Sequence, residues 1–445
     1  MRRKWAIFVM LSACMVILCG MVQPAALQAQ SGAAAQAGAA AAQDDPVRTL
    51  VSRLDLEKYK ATIKGLTQFG DRRQGTDRNR AAADWIEAQL KSYGCSDVAR
   101  IKYEYAPAAR SGGAGEAGRG AAAAGGAGRG VAAAGAAGGR AGAAGAGGQA
   151  APVQARGRGG ANPVNKGNRA PSGVNNDPNK QPDVKLRELN MQPSTPGARE
   201  DVYCTKVGST RPEEAYIVAA HYDGIGYSEG ANDDASGVAL VLEVARILCA
   251  PDVKTDRSVR FALWNNEETG LNGARAYVEQ RAPLQGKEDP PGSGKYPEPK
   301  WIGMIQHDMM LYDHGMPGPD GKLPAEQRLE ADVNIEFAAT SKMAAQAQEL
   351  AWALKNANDR YATDYPAVVG NRMSNTDSAA FQDLVAAISL RELERLSQVG
   401  MGWDPTWHQV IDVFTTFSDK DFRLGLNAVQ TTLAGVATMA GAKFK

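Results

Sequence analysis

Two neighbouring stretches of the chain hold residues of the types that bind divalent metals. His221 and Asp223 follow a short apolar run that predicts a buried strand ending in a polar loop. Asp233 and Asp234 come shortly after, before the amphipathic run 238–245, which predicts a helix. An imidazole at a strand end facing carboxylates at a helix N-terminus suits zinc, cobalt or manganese at the edge of an α/β sheet. The sequence therefore predicts part of a metal site, which needs further ligands from elsewhere in the chain.

Later stretches carry ionisable residues that complete such a set. Glu267 and Glu268 follow the apolar run 258–264, Asp308 follows another apolar run, and His408 lies in the acid-flanked motif Trp-His-Gln-Val-Ile-Asp. A single histidine at a strand end is usually an ordinary loop residue. The presence of acids at other strand ends favours a metal site over that interpretation.

The doublet Glu267-Glu268 predicts a division of work between two adjacent carboxylates. Adjacent side chains diverge in an extended or turn backbone, so Glu268 can bind a metal while Glu267 faces a nucleophilic water. A base in that place needs little intrinsic strength, because the cation already lowers the pKa of the water toward neutrality. The alternative is a pair of solvated loop glutamates, which the strongly apolar strand before them disfavours.

The elements that must position these residues alternate between strands and helices. Strands are predicted at 216–220, 258–264 and 302–306, with helices at 233–249 and 271–280 between them. This order requires crossover connections and indicates an α/β fold with a mainly parallel sheet, whose ligands bind outside the carboxyl ends of the strands. Further strands and helices are expected at 100–105, 201–207, 334–338 and 386–390, and at 56–66, 78–93, 341–361 and 422–439.

Composition divides the chain into four parts. Residues 1–29 have the basic start, apolar run and small-residue exit of a secretory signal peptide, with an uncleaved membrane anchor as the alternative. Residues 30–45 are an Ala-rich lead-in that we expect to be disordered. Residues 106–182 are a low-complexity insertion rich in Ala and Gly, which cannot build a core. The remaining residues are expected to form one domain, built from 46–105 and 183–445.

Charge and composition also restrict the partners. A formal net charge of +1 argues against general polyanion binding. Scattered Arg-Gly pairs in the insertion could bind RNA, but no aromatic residue lies among them to stack on bases, so a solvated loop is favoured. We therefore expect no nucleic-acid partner, and we expect an exported protein, periplasmic or extracellular, without stable membrane insertion once the signal peptide is removed.

Three cysteines lie outside the predicted signal peptide: Cys95, Cys204 and Cys249. An odd number leaves at most one disulfide and one free thiol, and no Cys-x-x-Cys pair suggests a thiolate zinc site. We expect them to be buried structural cysteines.

Together the motifs resemble metallopeptidase family 28, which contains co-catalytic zinc aminopeptidases, glutamate carboxypeptidases and glutaminyl cyclases. Five ligand-type motifs in the family's order are a specific signal, whereas any one of them would be weak. The resemblance implies a three-layer α/β/α domain with a mixed, mainly parallel central sheet, as in zinc exopeptidases. It runs from about Gly70 to the C-terminus without the insertion, and its motifs are His221-x-Asp223, 230–237, 267–273, Asp308 and His408.

The resemblance implies two zinc ions held by five side chains. His221 and Asp308 would bind one ion, and Glu268 and His408 would bind the other. Asp233 would bridge the two, because two cations at close range need an anion between them.

The resemblance also implies the catalytic roles. Glu267 would act as general base, taking a proton from a water between the metals and passing it to the leaving amine. Asp223 would accept the proton on the far nitrogen of His221 and so set its tautomer. The Asp233–Asp234 peptide bond is expected to be cis.

Two positions depart from the family's pattern. Met373 stands where some members have a tyrosine that helps to stabilise the oxyanion, and Gln409-Val410 replaces the Thr-Pro that commonly follows the last histidine. Nearby, Asp377 lies in a segment similar to the family's Ser-Asp-His and is expected to line the site. These departures concern transition-state contacts more than metal binding.

The leading hypothesis is an exported two-zinc aminopeptidase that acts on peptides or proteins. One alternative on the same fold is a glutaminyl cyclase-type acyltransferase, which the complete ligand set for two metals disfavours. A second alternative is a carboxypeptidase, and the most remote is an inactive homologue that binds a partner. The sequence indicates neither the preferred N-terminal residue nor the oligomeric state.

Overall fold

An eight-stranded mixed sheet forms the centre of a computed structural model of the chain. The structure describes residues 45–95, 97–105, 174–314, 326–329, 331–373, 376–391 and 404–445. The predicted signal peptide, nearly all of the lead-in and most of the insertion lie outside these described residues.

The sheet contains the predicted strands and one that was not predicted, and two further short strands pair with each other. The unpredicted strand of the large sheet is β8 (Ala367–Gly370), and the separate pair is β4 (Val253–Lys254) with β10 (Lys443–Phe444). The other strands are β1 (Ala99–Tyr105), β2 (Gly197–Lys206), β3 (Arg211–His221), β5 (Arg257–Trp264), β6 (Lys300–His307), β7 (Val333–Phe337) and β9 (Ala387–Arg391).

The strand order in the large sheet is β1-β2-β5-β3-β6-β9-β7-β8. Its centre, β5-β3-β6-β9, is parallel, as the alternation of strands and helices predicts. The antiparallel pairings lie between β1 and β2, β2 and β5, and β9 and β7, so the sheet is mixed. Parallel central strands bring their carboxyl ends to one edge, where ligand-type residues from separate strands can meet.

Helices cover both faces of the sheet. Alternate residues of β3 enter two different apolar clusters, with Ile217 and Ala219 in one and Val218 and Ala220 in the other. This arrangement confirms the three-layer α/β/α architecture. The helices are α1 (Pro46–Val51), α2 (Leu56–Thr67), α3 (Asp77–Ser92), α4 (Val184–Asn190), α5 (Gly237–Leu248), α6 (Asn272–Arg281), α7 (Ala344–Tyr361) and α8 (Asp419–Ala440).

Helix boundaries follow local capping. At the start of α3, the Thr76 side chain accepts a hydrogen bond from the Asn79 N–H, so Thr76 is the N-cap and Asp77 is the first helical residue. At the start of α8, Ser418 and Asp421 form a reciprocal capping box. Among the helices of the described residues, none combines the length and apolar composition that crossing a bilayer requires.

The three cysteines are buried, and none of them forms a disulfide. Cys95 follows the end of α3, Cys204 lies on β2, and Cys249 caps the C-terminus of α5. The expectation of buried cysteines is therefore confirmed.

A buried histidine at the end of β6 hydrogen-bonds to β3 and to helix α8. Nδ1 of His307 is 2.9 Å from the Ala219 carbonyl oxygen, and Nε2 is 2.9 Å from the Thr432 hydroxyl. Because a carbonyl only accepts, Nδ1 carries the proton and Nε2 accepts from the threonine. Burial lowers the pKa of His307 to about 4, so the ring is neutral at physiological pH.

We expect His307 to make the fold less stable as the pH falls from about 6.5 to about 4. In that window the unfolded chain binds a proton that the folded chain does not, so acid favours unfolding. The cost at about pH 4.5 is on the order of 2–3 kcal/mol. Denaturant unfolding of the wild type and His307→Asn at about pH 7 and about pH 4.5 measures it. The stability advantage of the wild type over the variant should shrink at the lower pH, and a constant advantage would contradict the prediction.

Candidate metal centre

The structure brings the five predicted ligands together at the carboxyl ends of the central strands. Each ligand comes from a different segment, so the site exists only in the folded chain. His221 ends β3, Asp308 directly follows β6, Glu268 lies in the loop after β5, Asp233 lies in the turn before α5, and His408 lies in the loop before α8.

The carboxylate of Asp233 lies between the two histidines. Its Oδ1 is 3.3 Å from Nε2 of His221, and its Oδ2 is 3.1 Å from Nε2 of His408. On the first side, Oδ1 of Asp308 is 3.8 Å from Nε2 of His221. On the second side, Oε2 of Glu268 is 2.7 Å from Nε2 of His408. The five side chains therefore form two groups that share Asp233.

These side chains fit a metal of the zinc type. One ligand atom from each of His221, Asp233 and Glu268 lies within 4.8 Å of the others, so candidate ligands of both groups converge in one cluster. Nε2 of His221 and Oε1 of Glu268 are buried and have no hydrogen-bond partner among the described residues. Buried polar atoms normally have partners, and a bound cation would provide one for each.

The charges in the site also favour cations. Burial would lower the pKa of His221, but nearby carboxylates, chiefly Glu267 and Asp233, raise it well above its ordinary value. The pKa of His408 rises to about 10 for the same reason, with Glu268 as its main acidic neighbour. Burial raises the pKa of Glu268 to about 7. Excess carboxylates hold protons on both imidazoles, and a divalent cation would displace those protons.

Asp223 supports the site through two different atoms. Its backbone carbonyl oxygen is 3.0 Å from Nδ1 of His221, whereas its carboxylate Oδ1 is 3.8 Å from the same nitrogen. The carboxylate instead accepts the backbone N–H of Glu267 at 2.9 Å. The hydrogen bond that the sequence analysis assigned to the Asp223 side chain is thus made by its backbone.

Glu267 and Asp377 are both buried near the candidate ligands. Burial raises the pKa of Glu267 well above its ordinary value, although the charge of His221 opposes the shift. Asp377 begins a short 3-10 helix, and its Oδ2 accepts a hydrogen bond from Gln306 at 3.3 Å. Met373, at the position of the family's tyrosine, is buried, and its thioether side chain has no O–H or N–H to donate to an oxyanion.

The family model described as "Peptidase family M28" matches residues 201–427, about half of the chain. The chain belongs to peptidase family M28. The matched range begins on β2 and ends within α8, and it includes all five candidate metal ligands.

Similarity between this M28 chain and individual curated proteins covers shorter stretches than the family model does. It is 34% identical over 100 residues to the aminopeptidase YwaD of Bacillus subtilis, which is 22% of this chain and 21% of the relative. It is 35% identical over 125 residues to an aminopeptidase of Pseudomonas aeruginosa, which is 27% of this chain and 22% of the relative. The aligned part thus spans about a fifth of the length of these curated relatives.

The fold of the M28 chain also matches a solved structure. A zinc aminopeptidase of Bacillus subtilis superposes with a TM-score of 0.54 at 16% identity, covering 86% of this chain and 95% of the other. At this identity the match establishes the shared fold alone.

A buried arginine that sequence analysis did not single out holds the loop between His221 and Asp233. The guanidinium of Arg72 donates to the carbonyl oxygens of Tyr222 at 2.7 Å, Glu229 at 2.6 Å and Gly230 at 2.9 Å. It therefore ties both ends of this M28 metal loop to one point. Its neighbour in the chain is also an arginine, so no local pattern could have identified it.

Two carboxylates hold the backbone around Asp233. Asp412 accepts the backbone N–H groups of Asn232 at 2.7 Å and Asp233 at 3.1 Å. Asp234 accepts the backbone N–H groups of His221 at 3.2 Å and of two other residues. The Asp233–Asp234 peptide bond is cis, as predicted. Asp412 is the acid at the end of the Trp-His-Gln-Val-Ile-Asp motif, and the sequence did not specify its partners.

An arginine at the end of β9 contacts one of the candidate ligands. The guanidinium of Arg391 lies 3.2 Å from Oδ2 of Asp308. Burial would raise the pKa of Asp308, but Arg391 and then His221 lower it to about 2. The contact keeps Asp308 ionised and orients it, and nothing in the sequence around Arg391 pointed to it.

Proposed function

We propose that this protein is a zinc-dependent aminopeptidase that removes residues from the N-termini of peptides. The observation that carries the proposal is the carboxylate of Asp233 between His221 and His408, with Glu267 buried beside them. The two curated relatives above, both named aminopeptidases, support the choice of substrate end.

Two zinc ions would be held by this set of side chains. His221 and Asp308 would bind one ion, Glu268 and His408 the other, and Asp233 both. When bound, such ions polarise the scissile carbonyl and lower the pKa of the attacking water.

The protein's own residues would move the protons. The carboxylate of Glu267 takes a proton from the attacking water and then gives it to the departing amine, so the peptide C–N bond breaks without a charged leaving group. The Asp223 carboxylate accepts the backbone N–H of Glu267, and the Asp223 backbone carbonyl binds Nδ1 of the His221 ring. Both contacts fix the base relative to the ligand set.

We also propose that the protein is exported by means of residues 1–29. The basic start and apolar run of this segment support the proposal. Expression of the full chain followed by cell fractionation and N-terminal sequencing tests it. A mature N-terminus near residue 30 in the exported fraction is expected, and an intact protein retained in the cytoplasm would contradict it.

A substrate panel tests the proposed activity. We expect cleavage of aminoacyl-4-nitroanilides and of peptides with a free N-terminus, and no cleavage of the same compounds after N-acetylation. A chelator should abolish turnover, and added zinc should restore it. Cleavage of N-blocked peptides from the C-terminus would favour a carboxypeptidase instead. Ammonia release from peptides that begin with Gln would favour a glutaminyl cyclase.

A further inference from the structure

A segment of the chain that carries three buried amide side chains runs beside the candidate metal centre, and we call it the strap. The strap is residues 174–190, and its first nine residues belong to the predicted insertion, 106–182, whose end is thus packed against the folded domain. It contains a short 3-10 helix, Pro178–Lys180, and helix α4. Asn175, Gln181 and Asn190 in the strap are 5%, 2% and 2% exposed, although they lie in a polar segment. Buried amides in such a segment need specific partners.

The three strap amides bind three successive carbonyl oxygens of the loop between His221 and Asp233. Nδ2 of Asn175 donates to the Gly226 oxygen at 3.1 Å. Nε2 of Gln181 donates to the next carbonyl, of residue 227, at 2.8 Å. Nδ2 of Asn190 donates to the carbonyl of residue 228 at 2.7 Å. The strap therefore donates one hydrogen bond to each of three consecutive residues of this loop.

The same strap also binds the loop that carries His408. The backbone N–H of Asn175 donates to the carbonyl oxygen of His408 at 3.0 Å. Nε2 of Gln181 donates to the carbonyl oxygen of Val410 at 3.1 Å. Asn175 and Gln181 thus each connect the two loops that bear candidate ligands.

The two loops need a third partner at this point because both present acceptors. The carbonyl oxygens of residues 226–228 face the strap together with those of His408 and Val410, and carbonyls cannot hydrogen-bond to one another. The loops are close: a Cβ added at Gly226, whose φ is +97°, would lie 2.5 Å from the His408 oxygen. Leaving buried carbonyls unpaired at such a contact would cost stability.

The backbone of His408 is itself constrained. Its φ is +56°, a backbone conformation that residues other than glycine rarely adopt. One side of the residue presents the ring to Asp233 and Glu268, and the other presents the carbonyl to Asn175. A hydrogen bond to that carbonyl sets the peptide plane and, through it, the direction of the ring.

We propose that Asn175 and Gln181 are positioning residues that hold His408 in place to bind metal. The inference rests on the proposed function in one respect, that His408 is a metal ligand. Neither residue contacts the candidate ligand atoms, so the effect passes through the backbone of the His408 loop. The loop between His221 and Asp233 keeps its three bonds to Arg72 when either amide is lost. Loss of either amide should therefore affect the metal on the Glu268–His408 side and leave the other side nearly unchanged.

Zinc release from the holoprotein tests the proposal. Asn175→Ala keeps the backbone N–H that binds His408 but removes the side-chain bond to Gly226 that holds this N–H in place, and Gln181→Ala removes the bond to Val410. Each substitution should weaken one zinc by roughly 10–100-fold and leave the other unchanged, as loss of a residue that orients a ligand does. The matched control is Asn179→Ala, an exposed asparagine in the same strap, which should behave as the wild type. In the background of His408→Ala, the strap substitutions should have no further effect on zinc. Equal weakening of both ions, or a further loss in that background, would overturn the proposal.

Hydrogen exchange of the metal-free protein provides a test that does not depend on zinc or on activity. Peptides covering 404–413 and 222–230 should exchange faster in Asn175→Ala and Gln181→Ala than in the wild type, and peptides of α8 should not. Unchanged exchange in the two loops would overturn the proposal even if the protein is an aminopeptidase. Faster exchange with unchanged zinc release would overturn it as well. A wild-type protein that hydrolyses no peptide would contradict the proposed function but leave the exchange result interpretable.

Discussion

Glu267→Gln should lower kcat by at least ~10²-fold while the zinc content stays at the wild-type value. The amide cannot accept the proton of the attacking water, but it has nearly the same shape. Glu267 is buried, and its backbone N–H is bound by Asp223, so the substitution leaves the loop in place. Steady-state kinetics on an aminoacyl-4-nitroanilide, together with elemental analysis for zinc, measures both quantities.

The matched control for this substitution is Glu279→Gln on the exposed face of α6, which should leave kcat unchanged. Glu267→Ala should lose at least as much activity as Glu267→Gln. If either Glu267 variant keeps wild-type turnover, the assignment of the general base is wrong. If zinc is lost as well, Glu267 is a ligand rather than a base.

Asp233→Asn should cost the protein most of its zinc and, with it, its activity. Asp233 is the residue shared by both groups of ligands, with one oxygen toward His221 and the other toward His408. An amide has a single weak ligand oxygen and a nitrogen that repels a cation, so both ions lose a ligand at once. We expect zinc affinity to fall by more than ~10²-fold, a larger effect than the loss of a residue that only orients a ligand. Equilibrium dialysis against a chelator of known affinity measures it.

The comparison for Asp233→Asn is Asp97→Asn, an exposed aspartate that should not alter zinc binding. Circular dichroism of both proteins in the metal-free state should match the wild type, which separates loss of metal from loss of fold. Two tightly bound zinc ions in Asp233→Asn would contradict the bridging role.

The fold was predictable where apolar runs are long. The sequence predicts strands β5 and β6 and helices α5 and α7. A buried strand needs several consecutive apolar residues, and an amphipathic helix needs apolar residues repeated over several turns. Short elements such as β8 escaped prediction. Its pairing with β7 is decided by the neighbouring strand rather than by its own four residues.

The sequence by itself determined which residue types stand at the ends of the central strands and in what order. That was enough to predict that His221, Glu268 and Asp308 meet at one edge, because parallel strands bring their carboxyl ends together. The resemblance to metallopeptidase family 28 joined Asp233 and His408 to them as one ligand set. The sequence also determined that the acid after β5 is a doublet, with one carboxylate available as a base.

Only the tertiary structure decided how those residues are held. Whether the carbonyl or the carboxylate of Asp223 contacts His221 depends on the path of the folded backbone after β3. That Arg72 binds the metal loop, and that Asn175 and Gln181 join it to the His408 loop, depends on contacts between segments far apart in the chain. These residues have no periodic pattern and no motif of their own. Their role arises from which buried carbonyls need donors, and this is known only after the loops have come together.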